Sequence, residues 1–252
     1  MNAMIMFVGA GPGDPELITV KGRKALDSAD VVIYAGSLVN PELLSGIRAD
    51  IFDSAAMDLD GIISIMKTAV AGGKTVVRLH TGDTSFYSAI SEQIERLREL
   101  SISYEVVPGV SSAMAGAAIL GQELTIPEIS QTVIFTRMEG RTPVPASERL
   151  GSLASHSATM VIFLSVGMIE KVRDELLQGY PGDTPVVIIE KATWPDQKVI
   201  RGELKDIASL VKDAGINKTA LIYVGESLRA SEASLGKESK LYDKDFKHEY
   251  RK

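Results

Sequence analysis

The sequence predicts an α/β protein of two domains, each a sheet covered by helices. Three observations predict it. Short apolar runs alternate with amphipathic segments from end to end, glycine-rich turns follow several of those runs, and a small-residue segment divides the chain near its middle. With 252 residues, 45% apolar and 24% charged, the chain can bury a sizeable core.

In the first half, "MIMFV" (4–8), "VVIY" (31–34), "TVVRL" (75–79) and "SYEVV" (103–107) read as strands. Between them "TVKGRKALDSA" (19–29) and "DGIISIMKTAVAGG" (60–73) carry helical spacing, the second closing on glycine. "YSAISEQIERLRELS" (87–101) adds a helix with Ile90, Ile94 and Leu97 on one face. The second half repeats the habit. "TVIFT" (132–136), "TMVIFL" (159–164), "PVVII" (185–189) and "ALIYVG" (220–225) are strands, and "KVIRGEL" (198–204) is a strand or hairpin arm. "MIEKVRDELLQG" (168–179) and "LKDIASLVKDAG" (204–215) are helices. Such alternation argues for mostly parallel sheets. The glycine-rich stretch near 115–125 sets the expected domains at 1–118 and 119–240, with a solvated, mixed-charge tail at 241–252.

The bulk numbers exclude several classes. A net charge of −6 disfavours non-specific binding to nucleic acid or an anionic membrane surface. No cysteine means no disulfide and no thiolate metal site, which fits a reducing cytoplasm. His80, His156 and His248 show no metal-ligand spacing, so no metal site is expected. "MNAMIMFVGAG" lacks a basic n-region, and no apolar run reaches roughly 18 residues, so neither a signal peptide nor a transmembrane helix is expected.

"FVGAGPGDPELITVKG" (7–22) carries the strongest local signal: a strand running into Gly9, Gly11 and Gly13. Glycine lets a ligand approach the backbone closely. The dinucleotide fingerprint fails, because Asp14 occupies its third position and Pro12, which has no N–H, lies inside the turn. A carboxylate there repels phosphate. The turn therefore suits a neutral or cationic ligand, or else is a tight turn capped by Asp14. Two further turns follow strands of the same half, in "VVRLHTGDTSFYSAISEQ" (76–93) and "VVPGVSSAMAGAA" (106–118). Ligands of open α/β sheets bind beyond the carboxyl ends of strands.

These stretches, with "ADVVIYAGSLV", "VPGVSSAMAGAAILGQELTIPE" and "ALIYVG", resemble the tetrapyrrole (corrin and porphyrin) methyltransferases, in the family's order and over nearly the whole chain. "YAGSLV" and "ELTIPEISQTVIFTRMEGRTPVP" resemble the branch that methylates C-11 of precorrin-4, or of its cobalt form, in cobalamin synthesis. The resemblance implies two α/β domains with a cofactor cleft between them, S-adenosylmethionine as methyl donor and a homodimer. Any cobalt would arrive inside the substrate. A sulfonium cation without phosphate accounts for the proline and aspartate of the first turn. By that resemblance Pro12, Thr81, Gly82, Asp83, Phe86, Ser111 and Ser112 bind the donor, as do Ser165, Ala192, Thr219 and Ala220 from the second half. Thr84 departs from the family's proline and loosens its turn slightly.

Several residues carry two readings. Asp14 is an N-cap or a base, Asp83 a donor ligand or a turn residue, and His80 a pocket or core residue. No general base is identified. Arg137 and Arg141 either hold the substrate's carboxylates or decorate a solvated loop. Tyr34 and Tyr87 either stack on the macrocycle or sit at the core's edge. Other tetrapyrrole, protein or RNA methylation, and a non-catalytic nucleotide-binding regulator, are the competing functions.

Overall fold

Two five-stranded sheets carry the chain in the computed structural model, which describes residues 3–231, 239, 244–247 and 249. Most of the expected charged tail lies outside those residues. The first sheet contains β1 (Ile5–Gly9), β2 (Val31–Tyr34), β3 (Asp50–Asp53), β4 (Val76–His80) and β5 (Tyr104–Val107), in the order β3-β2-β4-β1-β5. All its pairings are parallel. Such strands must be apolar on both faces, and period-two alternation explains how. Ile5, Phe7 and Ile33 point toward α2 (Leu59–Ala71) and α3 (Ile90–Glu99), packing with Met66 and Leu97. Val8, Val32 and Leu79 face the other way and pack with Leu26 of α1 (Val20–Asp27). Burying each such side chain contributes roughly 1.5–3 kcal/mol.

The first two helices start where their sequence provides an acceptor. The Thr19 hydroxyl accepts the Gly22 N–H at 3.1 Å, and the Asp58 carboxylate accepts the Gly61 N–H at 2.9 Å. β3 was not anticipated. "DIFD" is an edge strand, largely exposed, so it lacks the apolar run that marks its neighbours.

The second sheet contains β6 (Val133–Arg137), β7 (Thr159–Phe163), β8 (Pro185–Glu190), β9 (Lys198–Glu203) and β10 (Ala220–Val224), in the order β6-β7-β10-β8-β9. Here the expectation of mostly parallel pairing fails. Only β6 and β7 run parallel; β7–β10, β10–β8 and β8–β9 are antiparallel. The seven residues 191–197 join β8 to β9 as a hairpin, too short for a parallel crossover. One face packs Met160, Ile162, Ile188 and Ile222 against α5 (Leu150–Ala154), α6 (Ile169–Leu176) and α7 (Ile207–Asp213). On the other face lies fully buried Tyr223, and a Cβ on Gly116 would fall 2.0 Å from its hydroxyl oxygen. Gly116 belongs to α4 (Ser112–Ile119), the helix the small-residue segment forms.

By contacts the described residues of 1–115 and 192–195 form the first unit, and those of 116–191 and 196–252 the second. The partition falls inside α4, three residues before the expected 118/119. Among the described residues no helix is long and apolar enough to cross a membrane, and no group of three or more His, Asp or Glu could hold a metal ion.

Candidate active site

β1, β4 and β5 lie side by side and parallel, so their carboxyl ends open at one edge of the sheet. The three turns leaving them meet through bare backbone. The Gly11 N–H donates to the Gly82 carbonyl at 3.2 Å, and the Gly82 N–H donates back to the Gly11 carbonyl at 2.8 Å. A Cβ on Gly9 would come within 2.6 Å of Gly109 Cα; one on Gly109 would come within 2.2 Å of the Gly82 carbonyl oxygen. Gly11 and Gly82 also adopt φ of +83° and +63°, where side chains are strained. Gly9 and Gly109 are bare because the turns occupy each other's side-chain space, Gly11 and Gly82 because of their backbone conformation.

Asp83 ties this junction together. Its carboxylate accepts the Gly109 N–H at 2.7 Å and the Ser85 N–H at 2.8 Å. Burial pushes its pKa up, but those amides outweigh burial and leave it below the ordinary value. Of the expected donor ligands nearby, Pro12, Gly82 and Ser111 are buried, while Thr81, Phe86 and Ser112 are half-buried. The Ser111 hydroxyl accepts the Ala113 N–H at 3.3 Å as α4 begins.

The first turn is held at nearly every peptide group. The Ala10 N–H donates to the His80 carbonyl at 2.7 Å, and the Leu17 N–H to the Asp14 carbonyl at 3.0 Å. The Asn40 amide donates to the Gly13 carbonyl at 2.8 Å. The Trp194 indole N–H donates to the Pro12 carbonyl at 3.0 Å, and the Asp14 N–H donates to the Thr193 hydroxyl at 2.9 Å. The Asp14 carboxylate accepts the Glu16 N–H, capping a 3-10 turn at Pro15–Leu17. Thr193, Trp194 and the expected ligand Ala192 come from the β8–β9 connection but count with the first unit. Trp194 escaped sequence reasoning; its one signal was being the chain's single tryptophan, beside a proline between two strands.

Beneath the junction two polar side chains are buried in β4. The Arg78 guanidinium donates to the Gln93 side chain at 3.2 Å and the Ile33 carbonyl at 3.3 Å, and no carboxylate pairs with it among the described residues. Burial lowers its pKa to about 10, so it stays charged at neutral pH. His80 lies tilted beside Phe7, ring centroids 6.1 Å apart, and is pushed down to about 3 by burial and then by Arg78. Its Nε2 and the Thr84 hydroxyl are buried with no hydrogen-bond partner among the described residues. Half-buried Tyr34 has a raised pKa, through burial and then the carboxylate of Asp53. Tyr87 is exposed at φ +53°.

The remaining expected site residues lie in the second unit. The Ser165 hydroxyl is buried, accepting the Met138 N–H at 2.8 Å and donating to the Phe163 carbonyl at 2.6 Å. Thr219, at φ +54°, precedes β10, which Ala220 opens. The Arg137 guanidinium is spent on its own loop, donating to the carbonyls of Met138, Thr142 and Pro143 at 3.4, 3.1 and 2.8 Å. Arg141 is exposed, with no hydrogen bond or ion pair among the described residues.

Turns 9–14, 81–86 and 107–112 carry Asp14 and Asp83 and no lysine or arginine. That chemistry repels phosphate and tolerates a cation. The sequence profile of the Tetrapyrrole (Corrin/Porphyrin) Methylases matches residues 4–208. This chain belongs to that family. A cobalt-precorrin-4 C(11)-methyltransferase of Methanocaldococcus jannaschii is 57% identical to this tetrapyrrole methylase, over 100% of the chain and 97% of that protein. Among solved structures, a cobalt precorrin-4 methyltransferase of cobalamin biosynthesis superposes with TM-score 0.87 at 47% identity, covering 89% of this chain and 95% of that one. Uroporphyrin-III C-methyltransferase of Thermus thermophilus, solved with S-adenosylhomocysteine, superposes with TM-score 0.77 at 27% identity, covering 90% and 94%.

Proposed function

We propose that this tetrapyrrole methylase transfers a methyl group from S-adenosylmethionine to C-11 of precorrin-4 or cobalt-precorrin-4 in cobalamin biosynthesis. The observation that carries this reading is the full-length, 57% identity to a protein of that named activity. The site chemistry agrees: three turns at the carboxyl ends of parallel strands bear carboxylates, proline and small residues, and no phosphate-binding cation. When bound, the donor supplies an electrophilic methyl group on a sulfonium.

The chain's own residues bind and align. Pro12, Thr81, Gly82, Phe86, Ser111 and Ser112 line the donor's turns, and Asp83 keeps the second and third turns joined. Ala192, Ser165, Thr219 and Ala220 complete the set of donor residues, with Ser165 acting through the Met138 backbone it holds. The macrocycle's carboxylates are met by Arg141, on a loop that Arg137 shapes, and its faces by Tyr34 and Tyr87. Alignment and exclusion of water are the main requirements of such a transfer, and positioning alone can supply several kcal/mol of barrier lowering. His80, neutral and enclosed, is not assigned the role of base.

We also propose a cytoplasmic homodimer. The lack of cysteine supports the compartment, and the family resemblance supports the assembly. Incubating the protein with labelled S-adenosylmethionine and precorrin-4 or its cobalt form should place the label on C-11. Label on another ring carbon, or none, would overturn the assignment. Light scattering should give twice the 27.1 kDa chain mass.

A further inference from the structure

We propose that Trp194 is a positioning residue for the methyl donor: it fixes the peptide unit at Pro12–Gly13, so that donor affinity depends on it. The inference rests on the reading that turn 9–14 receives the donor. Two contacts define the arrangement. The indole N–H holds the Pro12 carbonyl at 3.0 Å, and the five-membered ring lies so close over Gly13 that a Cβ there would fall 2.3 Å from a ring carbon. Gly13 does not have a positive φ, so its glycine identity follows from the tryptophan and not from backbone conformation.

The segment bearing Trp194 has an unusual backbone. Lys191 and Thr193 take left-handed φ values of +49° and +69°, unusual for side-chain-bearing residues and worse for a β-branched one. The Lys191 N–H is anchored on the Thr219 carbonyl at 2.8 Å, and its ammonium pairs with Asp196 across the base of the segment. Within the first unit, Thr193 takes the Asp14 N–H while Trp194 takes the Pro12 carbonyl. With Asn40, Gly82, His80 and Leu17 also bonded to the turn, the Gly13 N–H is the one amide of residues 10–14 with no partner among the described residues. Trp194 thus braces the peptide that carries the one donor left for a ligand.

Because the chain has a single tryptophan, its emission reports this contact without ambiguity. S-adenosylhomocysteine serves as the probe, by calorimetry and by fluorescence of the wild-type protein. Emission should change on titration and saturate at the calorimetric affinity. Trp194→Phe keeps an aromatic face and deletes the N–H; it should weaken the probe about fivefold, the worth of one neutral hydrogen bond. Trp194→Leu should weaken it further. In both variants KM for the macrocycle should stay within about twofold, a split that general loss of structure would not give. If Trp194→Leu fails to fold, Trp194→Phe decides alone. Wild-type affinity in folded Trp194→Phe, or emission unmoved at saturating probe, overturns the inference. No probe binding by the wild-type protein overturns the donor-site reading and this inference with it.

Discussion

The two units organise their turns by different means. In the first, no Cβ fits at Gly9 or Gly109, main-chain bonds join the first turn to the second, and the Asp83 carboxylate joins the second to the third. In the second, side chains do the holding: Arg137 gathers three carbonyls of its own loop, and Ser165 ties the Met138 amide to the end of β7. The difference teaches where substitutions are tolerated. A junction of backbone cannot absorb an added atom, whereas a loop held by one arginine can lose its shape while the sheet beneath stays intact.

The sharpest way to break that contrast is one methyl group. Gly109→Ala should cost roughly 3 kcal/mol or more, because its Cβ meets rigid main chain at 2.2 Å. Gly121→Ala in the second unit meets nothing within 4 Å and bears only the strain of φ +61°, about 1 kcal/mol. Urea midpoints of both variants measure this, and equal midpoints would remove the distinction.

A second expectation concerns acid. His80 titrates near 6.5 when unfolded but at about 3 in the fold, so between those values the unfolded chain holds the extra proton. Stability should therefore fall as pH drops from 6.5 toward 3, by up to about 1.4 kcal/mol per unit. His80→Leu should flatten that portion of the profile, as followed by denaturant titration at several pH values.

For the second unit, Arg137→Lys should behave like Arg137→Ala, since one ammonium cannot span three carbonyls in the guanidinium's geometry. Both should raise KM for the macrocycle about tenfold, with S-adenosylhomocysteine affinity within about twofold. Arg141→Lys keeps the charge and loses only the fork geometry, so it should raise KM less than Arg137→Lys. A wild-type KM for Arg137→Lys would show that the loop is not held by its arginine. The smallest effect expected is at Thr84, whose buried hydroxyl has no partner among the described residues. Thr84→Val should leave stability unchanged or raise it by up to about 1 kcal/mol, read from the same urea midpoints.

Strands buried on both faces and helices with one apolar stripe were plain in the sequence, since burial writes its period directly into residue order. Strand direction was not. "PVVII" is equally apolar whichever way its neighbours run, and only the shortness of the 191–197 connection betrays a hairpin. The three glycine turns were legible individually, because each follows a strand. Their mutual contact was not, because Gly9, Gly82 and Gly109 are joined only once the sheet sets β1 between β4 and β5. Asp83 and Arg137 illustrate the remaining gap. Their residue types suggested ligands, but local pattern could not show the backbone groups each meets in the fold: Asp83 the amides of Gly109 and Ser85, Arg137 the carbonyls of its loop. Trp194 touches Pro12 across 182 positions, a distance over which local pattern carries no information.

The reciprocal bonds between Gly11 and Gly82 have a kinetic consequence. Surface turns ordinarily exchange their amide protons quickly, because they open without disturbing the rest of the molecule. Here the Gly11 and Gly82 amides are locked in a two-bond ring, and the Gly109 amide is closed by a carboxylate. The Gly11 and Gly82 amides cannot reach solvent until the ends of β1 and β4 part, nor the Gly109 amide until the Asp83 carboxylate lets go. Their protons should exchange as slowly as those at the centre of the sheet, marking a site whose ordering is complete before any ligand arrives.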